Sequence, residues 1–276
     1  MLFLLKIAVT PLLVAGVSLA VRWWGPTVGG ILMGLPWFTG PVLFILIQDQ
    51  GIAFGVGACV GVLIGVMCIS AFMLTYGLAA AVARWPLSLV AAVAAYGASV
   101  AVTSAPAFER AIAGIVPPLW AAAAVGAASL CVVLLLLPRP HREARPPAPP
   151  WWDMPARMLA AAALVAVLVL GADSLGPRLA GVFASYPIIL TITGVFTHYS
   201  GGRDAVLRVL RGLAASLFGF IAFFLVLGLA LPGAGAVGAY ALAATTGLAI
   251  TAALVAAHRA RRRRQAKSAH ALRHLS

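Results

Sequence analysis

Long apolar runs, broken at intervals by single charges, prolines or glycines, organise almost the whole chain. Crossing about 30 Å of hydrocarbon takes roughly 20 residues of helix, and run after run meets that length. Nine membrane helices are predicted, at about 2–22, 26–48, 53–82, 86–104, 112–137, 156–173, 177–199, 205–231 and 235–257. Helical periodicity adds little, because a span with apolar neighbours on all sides is apolar all round. The first run is too long for a signal peptide, lacks a small-residue cleavage site and leads straight into further spans, so it is expected to be retained. One stretch departs from the pattern: 138–155, PRPHREARPPAPPWWDMP, whose prolines and arginines predict an extended, solvated linker.

These boundaries divide the chain into a four-helix unit at 1–104, a connecting helix within 105–137, the linker at 138–155, a second four-helix unit at 156–257 and a basic tail at 258–276. The fold class expected is an all-α polytopic membrane protein, with about nine helices arranged 4+1+4.

Composition agrees and narrows the function. Of 276 residues, 63% are hydrophobic and 9% charged, with a mean hydropathy of +1.06. Soluble domains carry about 25% charged residues, so a soluble enzyme is excluded. The net charge of +13 could suggest nucleic acid, but its placement does not. Seven of the nineteen Lys and Arg follow the last apolar run, from Arg259 to Arg273, where they would face anionic headgroups on the cytoplasmic side. With nine spans and that tail inside, sixteen basic residues fall inside and three outside (Lys6, Arg110 and Arg178). The N-terminus is then outside and the location is a cell inner (plasma) membrane.

Chemistry-bearing motifs are scarce. Cys59, Cys68 and Cys131 lie within apolar runs and act as small hydrophobes. Four of the five histidines lie in the linker or tail, and no ligand spacing exists for a metal. Without a Walker sequence, HExxH, GxSxG or paired carboxylates, neither an enzyme nor a cofactor is expected.

Self-comparison adds a repeat. Residues 25–51 and 176–202 align without a gap at an offset of 151. Gly25 meets Gly176, Pro26 meets Pro177, Gly30 meets Gly181, Pro36 meets Pro187 and Gly51 meets Gly202; beyond the window Lys6 meets Arg157. These positions set backbone shape. One intervening span makes the two copies inverted, the architecture on which many carriers build alternating access.

Pro36 and Pro187 each lie ten residues after the proline that opens their helix. Ten residues descend about 15 Å, which places both prolines near the midplane. Each removes a backbone donor and clashes with the preceding turn, and nearby Gly29, Gly30, Gly34, Gly40, Gly181, Ser185 and Gly194 help to unwind the helix. Freed backbone groups at that depth are tolerated only beside protein or a wet cavity. The expected substrate-binding residues are Gly34, Pro36, Thr39, Ser185, Tyr186, Pro187, Thr191 and Thr193. Thr193 and Thr197, four apart, share a face that could line a pocket with Tyr186.

No buried charge is expected in the core. Asp49, Glu109, Asp173 and Asp204 map to loop edges, and Glu143 and Asp153 to the linker. A buried carboxylate coupling to protons or sodium is therefore disfavoured. Asp49 and His198 are the candidates for gating or coupling. Arg208 and Arg211 face one way and could meet lipid phosphate or an anionic substrate, besides serving as inside charges. Trp23, Trp24, Trp85, Trp151 and Trp152 fall at span edges, as interfacial aromatics do.

Residues 180–212, AGVFASYPIILTITGVFTHYSGGRDAVLRVLRG, resemble the GlpM-like family of small bacterial inner-membrane proteins. The matching features are Ala180 and Gly181 before a mid-helix proline (Pro187), then the pair His198–Tyr199, then Arg208 after a cytoplasmic turn. In the first copy only Gly30 and Pro36 match, because Ile47 and Gln48 replace the His–Tyr pair. The resemblance implies an inner-membrane four-helix unit, here duplicated, and confers no substrate.

The function expected is a secondary transporter or exporter of a small, neutral, hydrophobic or lipid-linked solute. The alternative is a non-transporting scaffold for envelope polysaccharide or lipid machinery. Membrane lipids and such a solute are the expected partners, nucleic acid is not, and a homo-oligomer is left open.

Overall fold

The structure, a computed structural model, describes residues 2–37, 39–114, 118–140, 150–175 and 186–273, with backbone alone for 2–9, 109, 113, 168–175 and 261–273. It is 89% helix, with no strand among the described residues. The helices are α1 (Leu2–Trp24), α2 (Pro26–Met33), α3 (Thr39–Gln50), α4 (Ile52–Ala79), α5 (Trp85–Thr103), α6 (Pro106–Ala113), α7 (Pro118–Leu136), α8 (Asp153–Leu175) and α9 (Ile188–Arg273). The last is interrupted at Gly202 (φ 70°, ψ −173°) and Gly235 (φ 65°, ψ 177°), so it forms three rods: α9a (188–201), α9b (203–234) and α9c (236–273). Four stretches, Ile52–Ala79, Trp85–Thr103, Pro118–Leu136 and Ile188–Ala260, are long and apolar enough to cross a membrane.

Helix α4 and rod α9b form the centre. Leu63, Val66, Phe72, Met73 and Tyr76 of α4 pack with Leu207, Leu210, Phe224, Leu227 and Leu231 of α9b and with Leu130 and Val133 of α7. Ser129 of α7 donates to Ser70 of α4 at 3.0 Å, adding a polar tie between these two helices.

The tightest crossing is backbone against backbone. A Cβ on Gly30 of α2 would overlap the Val209 carbonyl, and one on Gly34 would overlap Ser216. Reciprocally, a Cβ on Gly212 of α9b would overlap the Thr27 carbonyl. Gly30 with Gly34, and Gly212 with Ser216, are small residues four apart on the two facing helices, the spacing that lets apolar helices approach closely.

Helices α1 and α8 run antiparallel. Arg22 meets Asp153, Ser18 meets Arg157, and Val14 packs in one cluster with Ala161, so each four-residue step back along α1 matches one forward along α8. The ends are electrostatically matched, since Arg22 lies in the last turn of α1 and Asp153 in the first turn of α8.

Several expectations change here. Helix α8 begins at Asp153, inside the stretch expected to be extended linker. Asp153 and Arg157 are 1% and 5% exposed, so the core is not free of charge. A carboxylate bracketed by two guanidiniums enters a low-dielectric interior that an isolated one could not. Of the run at 112–137, residues 112 and 113 end the short α6, α7 covers Pro118–Leu136, and 115–117 lie outside the described residues. The final helix continues through the basic tail to Arg273 instead of ending near 257. Arg211 donates to the Leu137 carbonyl at 2.9 Å, closing the end of α7. Much of the second interrupted segment, 176–185, lies outside the described residues.

Candidate functional site

The run expected at 26–48 is two helices separated by a short irregular segment at Leu35–Trp37. Pro36 has no N–H to donate, so α2 cannot continue through it. Leu35 donates to the Leu32 carbonyl at 3.3 Å, and the Trp37 indole Nε1 reaches the same oxygen at 2.8 Å. Trp37 N then bonds Leu35 O at 2.8 Å, and Gly40 N bonds Pro36 O at 3.1 Å to start α3. Together these bonds satisfy much of the backbone that the proline frees.

The same pattern recurs at Pro187. Ile188 N bonds Tyr186 O at 2.9 Å, and Thr191 N bonds Pro187 O at 2.9 Å.

Around Pro36 lies an open, apolar groove of about 430 Å³. Its walls are Pro36, Gly40, Pro41, Phe44 and Ile45 on one side and Phe223 and Tyr240 on the other. Phe44 and Tyr240 meet edge to face, with centroids 5.0 Å apart. The one hydroxyl at this wall, on Tyr240, donates to the Gly40 carbonyl at 2.9 Å. Gly34 is buried against Ser216, while Pro36 and Thr39 are half-buried.

The surroundings of Pro187 are richer. The Thr191 hydroxyl donates to the Tyr186 hydroxyl at 3.1 Å. Tyr186 meets Tyr96 of α5 edge to face at 5.4 Å and Phe72 of α4 at 6.2 Å. Phe72 stacks with Tyr76 at 6.0 Å, and the Tyr76 hydroxyl lies 3.4 Å from His198 Nδ1. A continuous polar–aromatic track therefore leads from the second break along α4 to His198. The track holds two separate polar pairs, Tyr186 with Thr191 and Tyr76 with His198, joined only through the Phe72 ring, and either pair can bind a neutral polar group.

Helix geometry sorts the threonines. Thr191 and His198, seven apart, lie about 20° from each other around the helix, whereas Thr193 lies about 200° from Thr191. Thr193 and Thr197 thus form a second polar face, away from Tyr186. They are 0% and 3% exposed, and their hydroxyls find no hydrogen-bond partner among the described residues. Leaving a buried hydroxyl unpaired costs about 1–3 kcal/mol, which makes this face a second candidate for polar contacts. Asp49 is exposed in the last turn of α3, and Ser185 lies outside the described residues.

Sequence reasoning named Tyr186, Pro187, Thr191 and His198, which the structure brings together with one another. It missed Phe72, Tyr76 and Tyr96 beside the second break and Phe44, Phe223 and Tyr240 beside the first. One signal was available: Phe72 and Phe223 lie 151 residues apart, and each flanks a proline break in the other half of the chain. No family model, no curated protein and no solved structure matches the chain.

Proposed function

We propose that the protein is an inner-membrane secondary transporter or exporter that moves a small neutral, hydrophobic or lipid-linked solute by alternating access between two inverted four-helix repeats. The observation that carries this reading is a pair of backbone bonds at Pro36 that recurs at Pro187 at an offset of 151 residues. The register extends further. Leu2–Trp24 shifts onto Asp153–Leu175, the turn at Gly51 (φ 90°, ψ 172°) onto that at Gly202, and Arg84 before α5 onto Gly235 before α9c. In sequence, Gly61 and Gly65 align with Gly212 and Ser216, and Gly181 and Ser185 align with Gly30 and Gly34.

Inversion is supported without counting spans. Helices α1 and α8 are the corresponding first elements of the two copies, and they run antiparallel. With a connecting helix between the copies the arrangement is 4+1+4, the N-terminus outside and the basic tail in the cytoplasm. The resemblance of 180–212 to GlpM-like inner-membrane proteins belongs to the same proposal.

Each break is lined by helices of the opposite copy: Phe223 and Tyr240 at Pro36, and Phe72 and Tyr96 at Tyr186. Rocking one unit against the other would change both linings at once, which is what alternating access needs. Hydroxyls and aromatic faces, with no carboxylate among the described side chains at either break, suit an uncharged solute. His198, approached by the Tyr76 hydroxyl at 3.4 Å, is our candidate for coupling movement to a proton.

Single cysteines at Thr39 and Thr191, in a background lacking Cys59, Cys68 and Cys131, test the reading. A membrane-impermeant maleimide is expected to label both positions, from the inside in one population and the outside in another. If neither ever labels from either side, the transport reading fails. Gly34 is unsuited to this probe, because any Cβ there meets Ser216.

A further inference from the structure

Away from the two breaks, a buried ionic cluster joins the ends of α1 and α8. Asp153 Oδ2 accepts from Arg22 Nη2 at 2.6 Å and from Arg157 Nε at 2.8 Å, while Oδ1 accepts from Arg157 Nη2 at 3.3 Å. Two guanidiniums share one carboxylate, so the cluster keeps a formal charge of +1.

Its members differ in access. Asp153 and Arg157 are sealed, with the Arg157 guanidinium carbon 4.9 Å from the centre of the Phe196 ring and Nη1 3.5 Å from the Ser18 hydroxyl. The Arg22 side chain is 29% exposed. It has five N–H donors in a planar fork, and Asp153 engages one end of that fork. The exposed part of the Arg22 side chain is backed by the net positive charge of the cluster, which a low-dielectric surrounding makes costly.

The depth of the cluster is marked twice. It lies at the last turn of one helix and the first turn of the next. Its chain neighbours Trp23, Trp24 and Trp151 are 70%, 52% and 89% exposed, the disposition of indoles at a membrane interface.

We propose that this cluster is the binding site for the phosphate group of an anionic phospholipid. Guanidinium forks pair with phosphate oxygens in two-point geometry, and basic pockets between helices at the interface take acidic headgroups. A phospholipid delivers its oxyanion at this depth and lays its acyl chains along the exposed indoles, contacts that a free phosphate ion cannot make. The +1 left by Asp153 selects lipids of net negative charge over zwitterionic ones. The proposal does not depend on the transport reading.

Native mass spectrometry of the purified, delipidated full chain, offered equal phosphatidylglycerol and phosphatidylcholine, tests it. The unaltered protein is expected to retain phosphatidylglycerol about tenfold better. Arg22→Gln should cut the preference severalfold, Arg22→Lys should cut it less, and Arg110→Gln on α6 should change nothing. Millimolar inorganic phosphate should not displace the bound lipid. Equal retention by the unaltered protein, an undiminished preference in Arg22→Gln, or displacement by inorganic phosphate each overturns the proposal. If Arg22→Gln does not fold, Arg22→Lys takes its place, and an undiminished preference there is equally fatal.

Discussion

The segments at Pro36 and Pro187 share two backbone bonds and differ in the side chains around them. Both close with a bond spanning two residues and a bond that restarts the helix. The first opens on an apolar groove whose one wall hydroxyl is turned onto the Gly40 carbonyl. The second is surrounded by Tyr186, Thr191, Tyr96 and Tyr76, leading to His198. On the proposed function, a duplicated hinge would keep its mechanics in both copies while confining recognition to one. Backbone shape depends on a few Pro and Gly positions, whereas the lining comes from other helices that can diverge separately.

The most severe way to break the comparison is to wedge the first hinge from its support. Gly30→Val sets a branched side chain against the Val209 carbonyl, where backbone must move. It should destabilise the protein by about 3 kcal/mol or more, read as a large loss of folded protein in thermal unfolding. Gly51→Ala and Gly202→Ala test the shared mechanics. Both glycines have positive φ with extended ψ, a region nearly closed to other residues, so each change should cost about 2 kcal/mol. Similar losses sharpen the equivalence of the two turns, and a neutral result at one breaks it.

Smaller effects probe the linings. Tyr240→Phe strips the Gly40 carbonyl of a donor and should cost about 1 kcal/mol. Tyr186→Phe should cost less, about 0.5 kcal/mol, because the Thr191 hydroxyl can turn back to a carbonyl of its own helix. On the proposed function the order reverses for activity: labelling of a cysteine at Thr191 should respond to Tyr186→Phe and not to Tyr240→Phe.

The hinges were legible in the sequence because their cause is local. Pro36 and Pro187 each lack a backbone donor, and Gly51 and Gly202 mark where the chain turns, although Pro11 stands inside α1 without ending it. The linings were not legible, since Phe72 beside Tyr186 and Tyr240 beside Gly40 are pairings across more than 100 residues. Asp153 misled for a related reason. Next to a proline-rich stretch it resembles a loop residue, and the partner that allows its burial, Arg22, lies 131 positions away.

The last rod has a mechanical consequence. From 236 to 273 it is one uninterrupted helix of 38 residues, about 57 Å long at 1.5 Å per residue. A bilayer's hydrocarbon core takes up about 30 Å of that. On the proposed topology the arginines at 261–264 are therefore carried on a stiff mast, not a tether, which sets their distance from the bundle.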